Sequence, residues 1–379
     1  MHPGTASRFA SRLQAVRDDL RVAGVDTLLV THPPNLRYLT GLAASAGAAI
    51  VTASRCVLLA DFRYETTARD LIALRTPGTV ELVVPAGSYD AAIVRALADV
   101  GARRVGVEAA ALTVGRFNHL QAALGPAPAP MRRSLGRRGI VLIPLEALVE
   151  ERRIVKDATE IAILREGGSR IAAVAAELPS FVRLGRTERA IAGDIEAALR
   201  TAGFERPAFE TIVASGPNSA LPHARPTERP LRQGEGVVLD FGGVYDGYCV
   251  DLTRTLFLGD PPPEIARMAA AVRAAHAAAV AAVRPGAAPA AIDAAARDLL
   301  AAEGLGEAFG HGTGHGLGLE VHEAPRIARA SPDRTETPVA AGMVFTIEPG
   351  AYVAGLGGVR IEDDVLVVDG GCEVLTGKV

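Results

Sequence analysis

The chain is short of tryptophan, lysine and cysteine, and these shortages narrow what it can be. Tryptophan is absent, and Lys156 and Lys378 are the two lysines among 379 residues. The three cysteines, Cys56, Cys249 and Cys372, are odd in number and widely spaced, which fits neither a disulfide framework nor a paired-cysteine zinc site. Reduced, buried thiols are typical of a cytosolic protein, so we expect a cytoplasmic location.

Signals for export, membrane insertion and nucleic-acid binding are also missing. The N-terminal segment lacks the apolar stretch of a signal peptide. The alanine-rich segment 269–283 carries Arg273 and His276, so we expect no membrane span. A formal net charge of −3 without a polybasic tail argues against nucleic acid or an anionic membrane as a partner. With 49% hydrophobic and 22% charged residues, the composition predicts a globular protein of one large or two medium domains.

Residues 1–125 alternate between helical and strand patterns, which predicts a small α/β domain. An amphipathic helix pattern ends at Gly24, and a later helix pattern begins with Ser88 at the N-cap position. Four short apolar runs predict buried strands, at 25–31, 48–53, 56–61 and 80–84. The stretch 125–139 is rich in Pro, Gly and Arg, which predicts an exposed loop near a domain boundary.

We therefore predict an N-terminal domain over 1–145 and a second domain over 150–379, which opens with a helix over about 158–178. The second domain contains an internal repeat, since 182–203 and 283–304 match at a constant offset of 101 residues. Both copies open with a V-R-x-G sequence and end at glycine. Two related helix–strand halves predict a pseudo-symmetric domain with its site where the halves meet.

Asp240 and Asp251 lie on a predicted β-hairpin whose turn is at Asp246-Gly247, a dipeptide with a strong turn preference. If the turn is centred between these two residues, Asp240 lies opposite Thr253 and Asp251 is its diagonal neighbour. If it is centred one residue earlier, the two aspartates are directly opposite. Both registers place the carboxylates on one face, close enough to share a metal ion. Two unrelated solvent-facing aspartates are the alternative, but Asp240 lies within an apolar run.

Three of the eight histidines lie within the glycine-rich segment 311–325. Its glycines disfavour a helix, so the spacing of His311 and His315 is not that of a helical metal-binding pair. Glycine instead lets the backbone approach a ligand or a metal ion closely. A single histidine is most often a core residue with ordinary hydrogen bonds. Three in one glycine-rich loop, with His322, indicate a functional site.

Two further carboxylates belong to predicted strands near the C-terminus. Glu348 ends an apolar run, and the last long strand pattern places Arg360, Glu362 and Asp364 on one face. A carboxylate at the end of a buried strand is costly unless it is paired or bound to a metal ion. An ordinary surface pair between Arg360 and Glu362 is the alternative.

Four carboxylates and one imidazole thus stand out in the second domain. They are Asp240, Asp251, His315, Glu348 and Glu362. Divalent cations that are hard or borderline prefer such a donor set, in which oxygen dominates and one nitrogen takes part. Four bare carboxylates in one pocket would repel one another, whereas two dications balance their charge. The sequence therefore predicts a dinuclear metal site, and such sites mostly assist hydrolysis.

The motifs around these residues resemble those of the creatinase, aminopeptidase P and prolidase family, the pita-bread metallopeptidases. The matching segments cover most of the chain; the specific ones are 209–255, 310–325, 342–350 and 359–367, and the weaker ones are KDATEI from Lys156 and NLRYLTG from Asn35. The resemblance implies an α/β creatinase-like N-terminal domain followed by an α+β pseudo-symmetric pita-bread catalytic domain.

The resemblance also implies roles for individual residues. It implies that the five residues named above are metal ligands, with Asp251 and Glu362 bridging two ions. It implies substrate-binding or proton-handling roles for His223, His311, His322 and Arg360. Within that site we assign the proton transfer to Glu348, and we expect His223 and His322 to steady the developing oxyanion or the prolyl carbonyl.

The function that follows is hydrolysis of the N-terminal Xaa-Pro bond of short peptides, with Mn²⁺ as the expected ion and Co²⁺ or Zn²⁺ as alternatives. An Xaa-Pro dipeptidase, or prolidase, is the nearest alternative function. A metal-free creatinase-like hydrolase and a non-enzymatic binding module are more distant ones, and retention of all five ligands argues against both. The N-terminal domain carries none of the metal motifs, and relatives use it for dimerisation, so we expect a homodimer.

Overall fold

The computed structural model of the protein describes residues 5–76, 78–125, 139–331 and 336–377. The chain forms two compact units, Met1–Arg153 and Ile154–Val379. A short helix, Glu150–Ile154, spans the division between them. Nearly all of the loop predicted over 125–139 lies outside the described residues.

The first unit is a mixed sheet with helices. Its strands are β1 (Thr27–Val30), β2 (Ala48–Thr52), β3 (Cys56–Leu59), β4 (Glu81–Val83), β5 (Arg104–Glu108) and β6 (Val141–Leu145). Its helices are α1 (Thr5–Val22), α2 (Pro33–Thr40), α3 (Glu65–Arg75), α4 (Tyr89–Asp99) and α5 (Val114–Leu124), and α6 is the helix at the division. The strand order is β4-β3-β2-β1-β5-β6.

The local predictions for this unit are confirmed. All four predicted strands are present, and β1, β2 and β3 are buried over nearly their whole length because they are short apolar runs. Helix α4 begins where predicted, since the Ser88 hydroxyl accepts a hydrogen bond from the Ala91 N–H at 3.2 Å. Gly24, with φ of +66°, follows α1.

In the described residues, the second unit combines four helices with strands from three sheets. Its helices are α7 (Ala158–Phe181), α8 (Glu188–Thr201), α9 (Pro263–Ala282) and α10 (Pro289–Ala302), with 3₁₀ turns at Gly216–Ala220 and Gly306–Ala308. Strands β7 (Arg206–Pro207), β8 (Ile212–Ser215), β9 (Gly236–Tyr245) and β10 (Tyr248–Phe257) form one sheet. Strands β11 (Gly314–Gly316), β12 (Glu323–Ile327), β13 (Val344–Ile347), β16 (Asp363–Val368) and β17 (Gly371–Val374) form another, in the order β12-β11-β13-β16-β17, and β14 (Gly350–Val353) pairs with β15 (Gly357–Arg360).

The internal repeat corresponds to equivalent helices in the two halves of this unit. Helices α8 and α10 begin and end at positions that differ by 101 residues at both ends. The glycines that precede them, Gly185 and Gly286, have φ of +79° and +86°, and those that follow, Gly203 and Gly304, have φ of +91° and +75°. Left-handed backbone of this kind favours glycine, so the repeat preserves the glycines for a conformational reason.

Helix α9 is an apolar helix with one face packed in the core. It is the one helix in the described ranges whose length and mean hydropathy, 1.2, match a membrane span. However, its Met268, Val272 and Ala275 are buried in the core together with Phe345 and Val365. Packing in the core therefore accounts for the apolar residues on the buried face of α9.

The β9–β10 hairpin turns at Asp246-Gly247, as predicted. Both residues have positive φ, +42° and +75°, which is the geometry of a two-residue hairpin turn that matches the twist of the strands. The register that results pairs Asp240 with Thr253 and Asp251 with Gly242. The first of the two predicted registers is therefore confirmed.

Replacing Gly247 with alanine is expected to lower the free energy of unfolding by about 1–2 kcal/mol, because an L side chain is strained in left-handed backbone. Gly193 is the matched control, since it is exposed in the middle of α8 and a Cβ there meets nothing within 4 Å. Gly193→Ala is expected to raise the free energy of unfolding by about 0.5–1 kcal/mol. Urea unfolding of both variants checks the opposite signs, and equal effects would contradict the role of the turn.

Candidate metal centre

Strands of the two larger sheets in the second unit bring the predicted ligands together. Asp240 and Asp251 come from β9 and β10, His315 from β11, and Glu348 directly follows β13. Donor atoms of Asp251, His315 and Glu362 lie within 4.8 Å of one another. The Nε2 atom of His315 lies 3.4 Å from Oε1 of Glu348. His315 is in a strand rather than a helix, as its glycine neighbours predicted.

Glu362 lies at a break between two strands, where one continuous strand was predicted. Strand β15 pairs with β14 and ends at Arg360, whereas β16 pairs with β13 and begins at Asp363. Between them, the Glu362 N–H donates to the Thr253 carbonyl at 3.1 Å. The prediction was wrong because the chain changes partners here, and a period-2 pattern does not reveal a change of partner. The change turns Glu362 toward the aspartate hairpin.

The carboxylates of the site are buried and short of counter-charge. Burial raises the pKa of Asp251 and of Glu362 well above the usual carboxyl range, and repulsion between them and from Asp240 adds to it. Burial likewise raises the pKa of Glu348. The Oδ1 atoms of Asp240 and Asp251 are buried without a hydrogen-bond partner among the described residues. Divalent metal ions supply both the positive charge and the coordination that these oxygens lack, so the residues fit a metal site.

His315 suits the same role. Burial lowers its pKa, which keeps the imidazole neutral and able to bind a metal ion through a ring nitrogen. Its Nδ1 lies 3.0 Å from the Gly316 carbonyl, which fixes the ring and leaves Nε2 toward Glu348. A Cβ at Gly314 would lie 1.8 Å from the Thr346 carbonyl oxygen, so glycine there allows β11 to approach β13.

Arg360 is the cation already built into the site. It is 4% exposed and its guanidinium pairs with the carboxylate of Asp240. It also donates to the Tyr352 hydroxyl at 2.7 Å and to the Thr253 hydroxyl at 3.2 Å, and Thr253 in turn donates to Glu362 at 2.5 Å. Burial excludes the alternative of a surface pair between Arg360 and Glu362. Arg360 thereby orients two of the predicted ligands.

The other predicted histidines surround this cluster. The rings of His315 and His322 are 4.3 Å apart in an edge-to-face arrangement. Desolvation lowers the pKa of His322, and the neighbouring imidazoles of His315 and His223 lower it further because a second positive charge beside them is unfavourable. His223 and His322 are exposed, whereas His311 is half-buried and its Nε2 lies 3.0 Å from the Tyr352 hydroxyl.

Two residues of the site were not predicted from the sequence. Tyr352 links His311 to Arg360, and burial raises its pKa to about 12, so it stays a neutral donor and acceptor. As the lone aromatic residue after the Glu348 motif, it carried a weak signal. Arg326 lies directly opposite His315 in the β11–β12 register and is exposed. Only the strand pairing reveals it, because residues opposite each other share a face.

The metal-free protein is expected to lose stability as pH rises. The folded pKa values of Asp251 and Glu362 lie above their unfolded values, so the folded state binds more protons, and stability falls as pH rises through the raised pKa values. Divalent ions should therefore stabilise the protein more at pH 8 than at pH 5.

Asp251→Asn is expected to raise the melting temperature of the chelator-treated protein at pH 8 and to lose most of the shift caused by Mn²⁺, because an amide removes a buried, uncompensated charge. Asp298→Asn, an exposed change on α10, serves as the control and should alter neither quantity. Thermal unfolding with and without Mn²⁺ checks both. An unchanged metal response in Asp251→Asn would contradict the assignment.

Comparison with known proteins places the chain in a family. The model of metallopeptidase family M24 matches residues 162–369, and that of the creatinase/prolidase N-terminal domain matches residues 12–155. An uncharacterised peptidase of Bacillus subtilis is 34% identical over 365 residues, 96% of this chain and 97% of the relative.

Solved structures give the same result. An Xaa-Pro dipeptidase from Bacillus anthracis matches with a TM-score of 0.89 and 34% identity, over 98% of both chains. An X-Pro aminopeptidase from Thermotoga maritima matches with a TM-score of 0.81 and 31% identity, over 96% of this chain and 98% of that one. These matches confirm the predicted creatinase-like N-terminal domain and pita-bread catalytic domain. The chain therefore belongs to metallopeptidase family M24 and is an enzyme that uses divalent metal.

Proposed function

We propose that this enzyme hydrolyses the bond between the N-terminal residue and proline in short peptides. The observation that carries the proposal is the convergence of Asp251, His315 and Glu362 donor atoms in one buried cluster, with Glu348 and Asp240 beside it. Similar proteins of known structure include both an Xaa-Pro dipeptidase and an X-Pro aminopeptidase, which supports the choice of proline-containing peptides.

We propose two divalent ions per chain, most readily Mn²⁺, with Co²⁺ or Zn²⁺ as alternatives. Four carboxylates, Asp240, Asp251, Glu348 and Glu362, would be neutralised by two dications. The resemblance to the family implies that Asp251 and Glu362 would bridge the two ions, and both are deeply buried and repelled by other members of the cluster. Arg360 already pairs with Asp240 and acts to lower the pKa of Glu348 and Glu362, so it offsets part of the negative charge.

When bound, the ions would supply Lewis acidity and an activated water for attack on the scissile carbonyl. The chain's own residues would do the rest. Glu348, with its raised pKa, would accept a proton from the attacking water and return it to the departing amine. His322 and His223, at the exposed rim, would donate hydrogen bonds to the developing oxyanion or to the prolyl carbonyl.

Arg360 would position ligands rather than bind the peptide. Its guanidinium nitrogens donate to Asp240, Tyr352, Thr253 and the Pro222 carbonyl. Arg326, by contrast, is exposed on the face of His315. Its charge is a minor cause of the lowered pKa of His315 and of His322, after burial. We therefore propose that Arg326 binds the free carboxylate of a dipeptide, which favours the dipeptidase form of the reaction.

The chain is expected to release the first residue from an Xaa-Pro dipeptide and, more slowly, from an Xaa-Pro-Yaa tripeptide when it is loaded with Mn²⁺. The matched Xaa-Ala dipeptide is the control for proline preference. Product analysis measures the rates, and elemental analysis of the same sample should give two ions per chain. Equal turnover of Xaa-Pro and Xaa-Ala would contradict the proposed substrate, and full activity with fewer than two ions would contradict the dinuclear site.

Arg326→Met is expected to raise KM for an Xaa-Pro dipeptide by about 10-fold or more, the usual effect of losing a hydrogen bond between charged groups. KM for the C-terminally amidated dipeptide should change little, because it has no carboxylate to bind. Arg329→Met, an exposed arginine three residues further on, is the control. An equal rise in KM for the free and the amidated peptides would show that Arg326 does not bind the carboxylate.

Homodimerisation, a cytoplasmic location and the choice of Mn²⁺ over other ions stay predictions of the sequence. We propose the homodimer because the N-terminal unit, Met1–Arg153, holds none of the proposed ligands.

A further inference from the structure

We propose that two buried carboxylates outside the metal cluster, Glu188 and Asp293, are positioning residues for the two histidine-bearing loops of the site. Each belongs to one half of the second unit, Glu188 on α8 and Asp293 on α10. The proposal builds on the substrate roles proposed above for His223 and His311. It adds the residues that determine where these histidines lie.

Glu188 holds both ends of the loop that carries His223. Its carboxylate is fully buried and accepts hydrogen bonds from the N–H and the hydroxyl of Ser215, both at 2.7 Å. It also accepts from the N–H and the hydroxyl of Thr227, at 3.0 and 2.6 Å. Ser215 ends strand β8 and Thr227 follows the loop, so one carboxylate joins the two ends. Asn218, inside the loop, donates to the same carboxylate at 3.0 Å.

The inner side of this loop is joined to the metal cluster. The Ser219 hydroxyl accepts from the Gly358 N–H at 2.8 Å, and the Pro222 carbonyl accepts from Arg360 at 3.3 Å. His223 follows Pro222 directly. A shift of the loop would therefore move the imidazole relative to Arg360 and its partner Asp240.

Asp293 does the same for the other loop. It is 1% exposed, and its Oδ1 accepts from the N–H and the hydroxyl of Thr313, at 3.1 and 2.8 Å. Thr313 lies between His311 and His315, and its carbonyl accepts from the Glu348 N–H at 2.7 Å. One carboxylate thus fixes the segment that bears two histidines and meets the proposed proton-transfer residue.

An arginine pairs directly with Asp293. The arginine near Glu188, Arg229, instead pairs with Glu235 and reaches Glu188 through a hydroxyl. Arg297 pairs with Asp293 through two hydrogen bonds, at 2.8 and 2.9 Å, and also donates to the His311 carbonyl at 2.7 Å. Arg229 donates to the Ser215 hydroxyl at 2.7 Å, and that hydroxyl donates to Glu188. The loops are therefore held by preorganised charged groups with little freedom to rearrange.

The two carboxylates have the same role at different positions in the repeat. At the offset of 101 residues, Glu188 aligns with Pro289 and Asp293 aligns with Ala192. Glu188 and Asp293 thus sit about one helical turn apart in the aligned helices, on the same face. Glu188 receives an N–H and a hydroxyl from each of Ser215 and Thr227, and Asp293 receives the same pair from Thr313. Both carboxylates therefore hold a histidine-bearing loop through the same kind of donors.

Hydrogen exchange tests the positioning without any measurement of activity. Glu188→Gln replaces an acceptor with an amide N–H₂, and it is expected to speed deuterium uptake in peptides covering 215–227 by about tenfold or more, while 309–315 stays unchanged. Asp293→Asn should give the reverse pattern. Thr227→Val and Thr313→Val remove single hydroxyl donors at nearly constant volume and provide a milder test if the first variants fold poorly. Uniform changes across the second unit, or none in either loop, would overturn the proposal.

Kinetic coupling tests the link to the histidines. Glu188→Gln and His223→Ala are each expected to raise KM for an Xaa-Pro dipeptide, and the double variant should be no worse than the worse single variant within about twofold. Asp293→Asn and His311→Ala should behave in the same way. In the double variant that combines Glu188→Gln with His311→Ala, which lie in different halves, the two fold-changes in KM should multiply. Multiplicative effects within one half would show that the carboxylates stabilise the fold without positioning the histidines.

These tests separate the inference from the proposed function. If the wild-type enzyme cleaves no Xaa-Pro peptide, the proposed substrate is wrong, and the loop-specific exchange patterns still decide whether the carboxylates hold the loops. If the wild-type enzyme cleaves such peptides but exchange in both loops is unchanged in every variant, the inference fails and the proposed function stands.

Discussion

The main physical constraint on the catalytic unit is the repulsion between carboxylates that its fold brings close together. Asp240, Asp251 and Glu362 are each less than one-tenth exposed, and burial and repulsion raise the pKa of Asp251 and Glu362. Hydrophobic packing of the strands that carry them must outweigh this cost in the metal-free protein. Arg360 pairs directly with Asp240, and its charge offsets only part of the shift at Glu348 and Glu362, whose pKa values stay raised. The remaining negative charge favours the binding of divalent cations. Because the same repulsion lowers the stability of the metal-free protein, metal affinity and folding stability have the same physical origin.

The positions of the ligands follow from the register of the β9–β10 hairpin and from the change of strand partner between β15 and β16. The hairpin turn at Asp246-Gly247 fixes the register of the two aspartates, and the break after Arg360 lets Glu362 bond to Thr253 instead of continuing in β15. The hairpin belongs to the first half of the unit, whereas the bond from Glu362 to Thr253 joins the second half to the first. The repeat supplies two similar scaffolds, and the site forms where strands from both meet.

Much of this was predictable because it depends on local chemistry. The turn dipeptide, the Ser88 N-cap and the repeat glycines all act over a few residues, where sequence patterns are informative. The five proposed ligands stood out because carboxylates and imidazoles in apolar or glycine-rich settings need a partner. Glycine between the histidines correctly excluded a helix.

The features that were missed depend on tertiary pairing. Arg326 is an ordinary surface arginine in the sequence, and only the β11–β12 register places it opposite His315. Glu188 resembles any acidic residue in the first turn of a helix, yet in the structure it accepts hydrogen bonds from residues 27 and 39 positions away. The break before β16 follows the same rule, because strand partners are decided by packing and not by periodicity.

Arginines show how burial divides roles within one site. Arg360 is buried and its guanidinium donates to protein acceptors, so it can hold ligands but has little capacity left for a peptide. Arg326 is exposed beside His315 and keeps its charge available at the rim. The metal ligands cannot distinguish a dipeptide from a longer substrate, because both present the same scissile bond. Discrimination by length would therefore come from groups at the rim that meet the far end of the peptide, and the proposed role of Arg326 is to bind the free carboxylate of a dipeptide there.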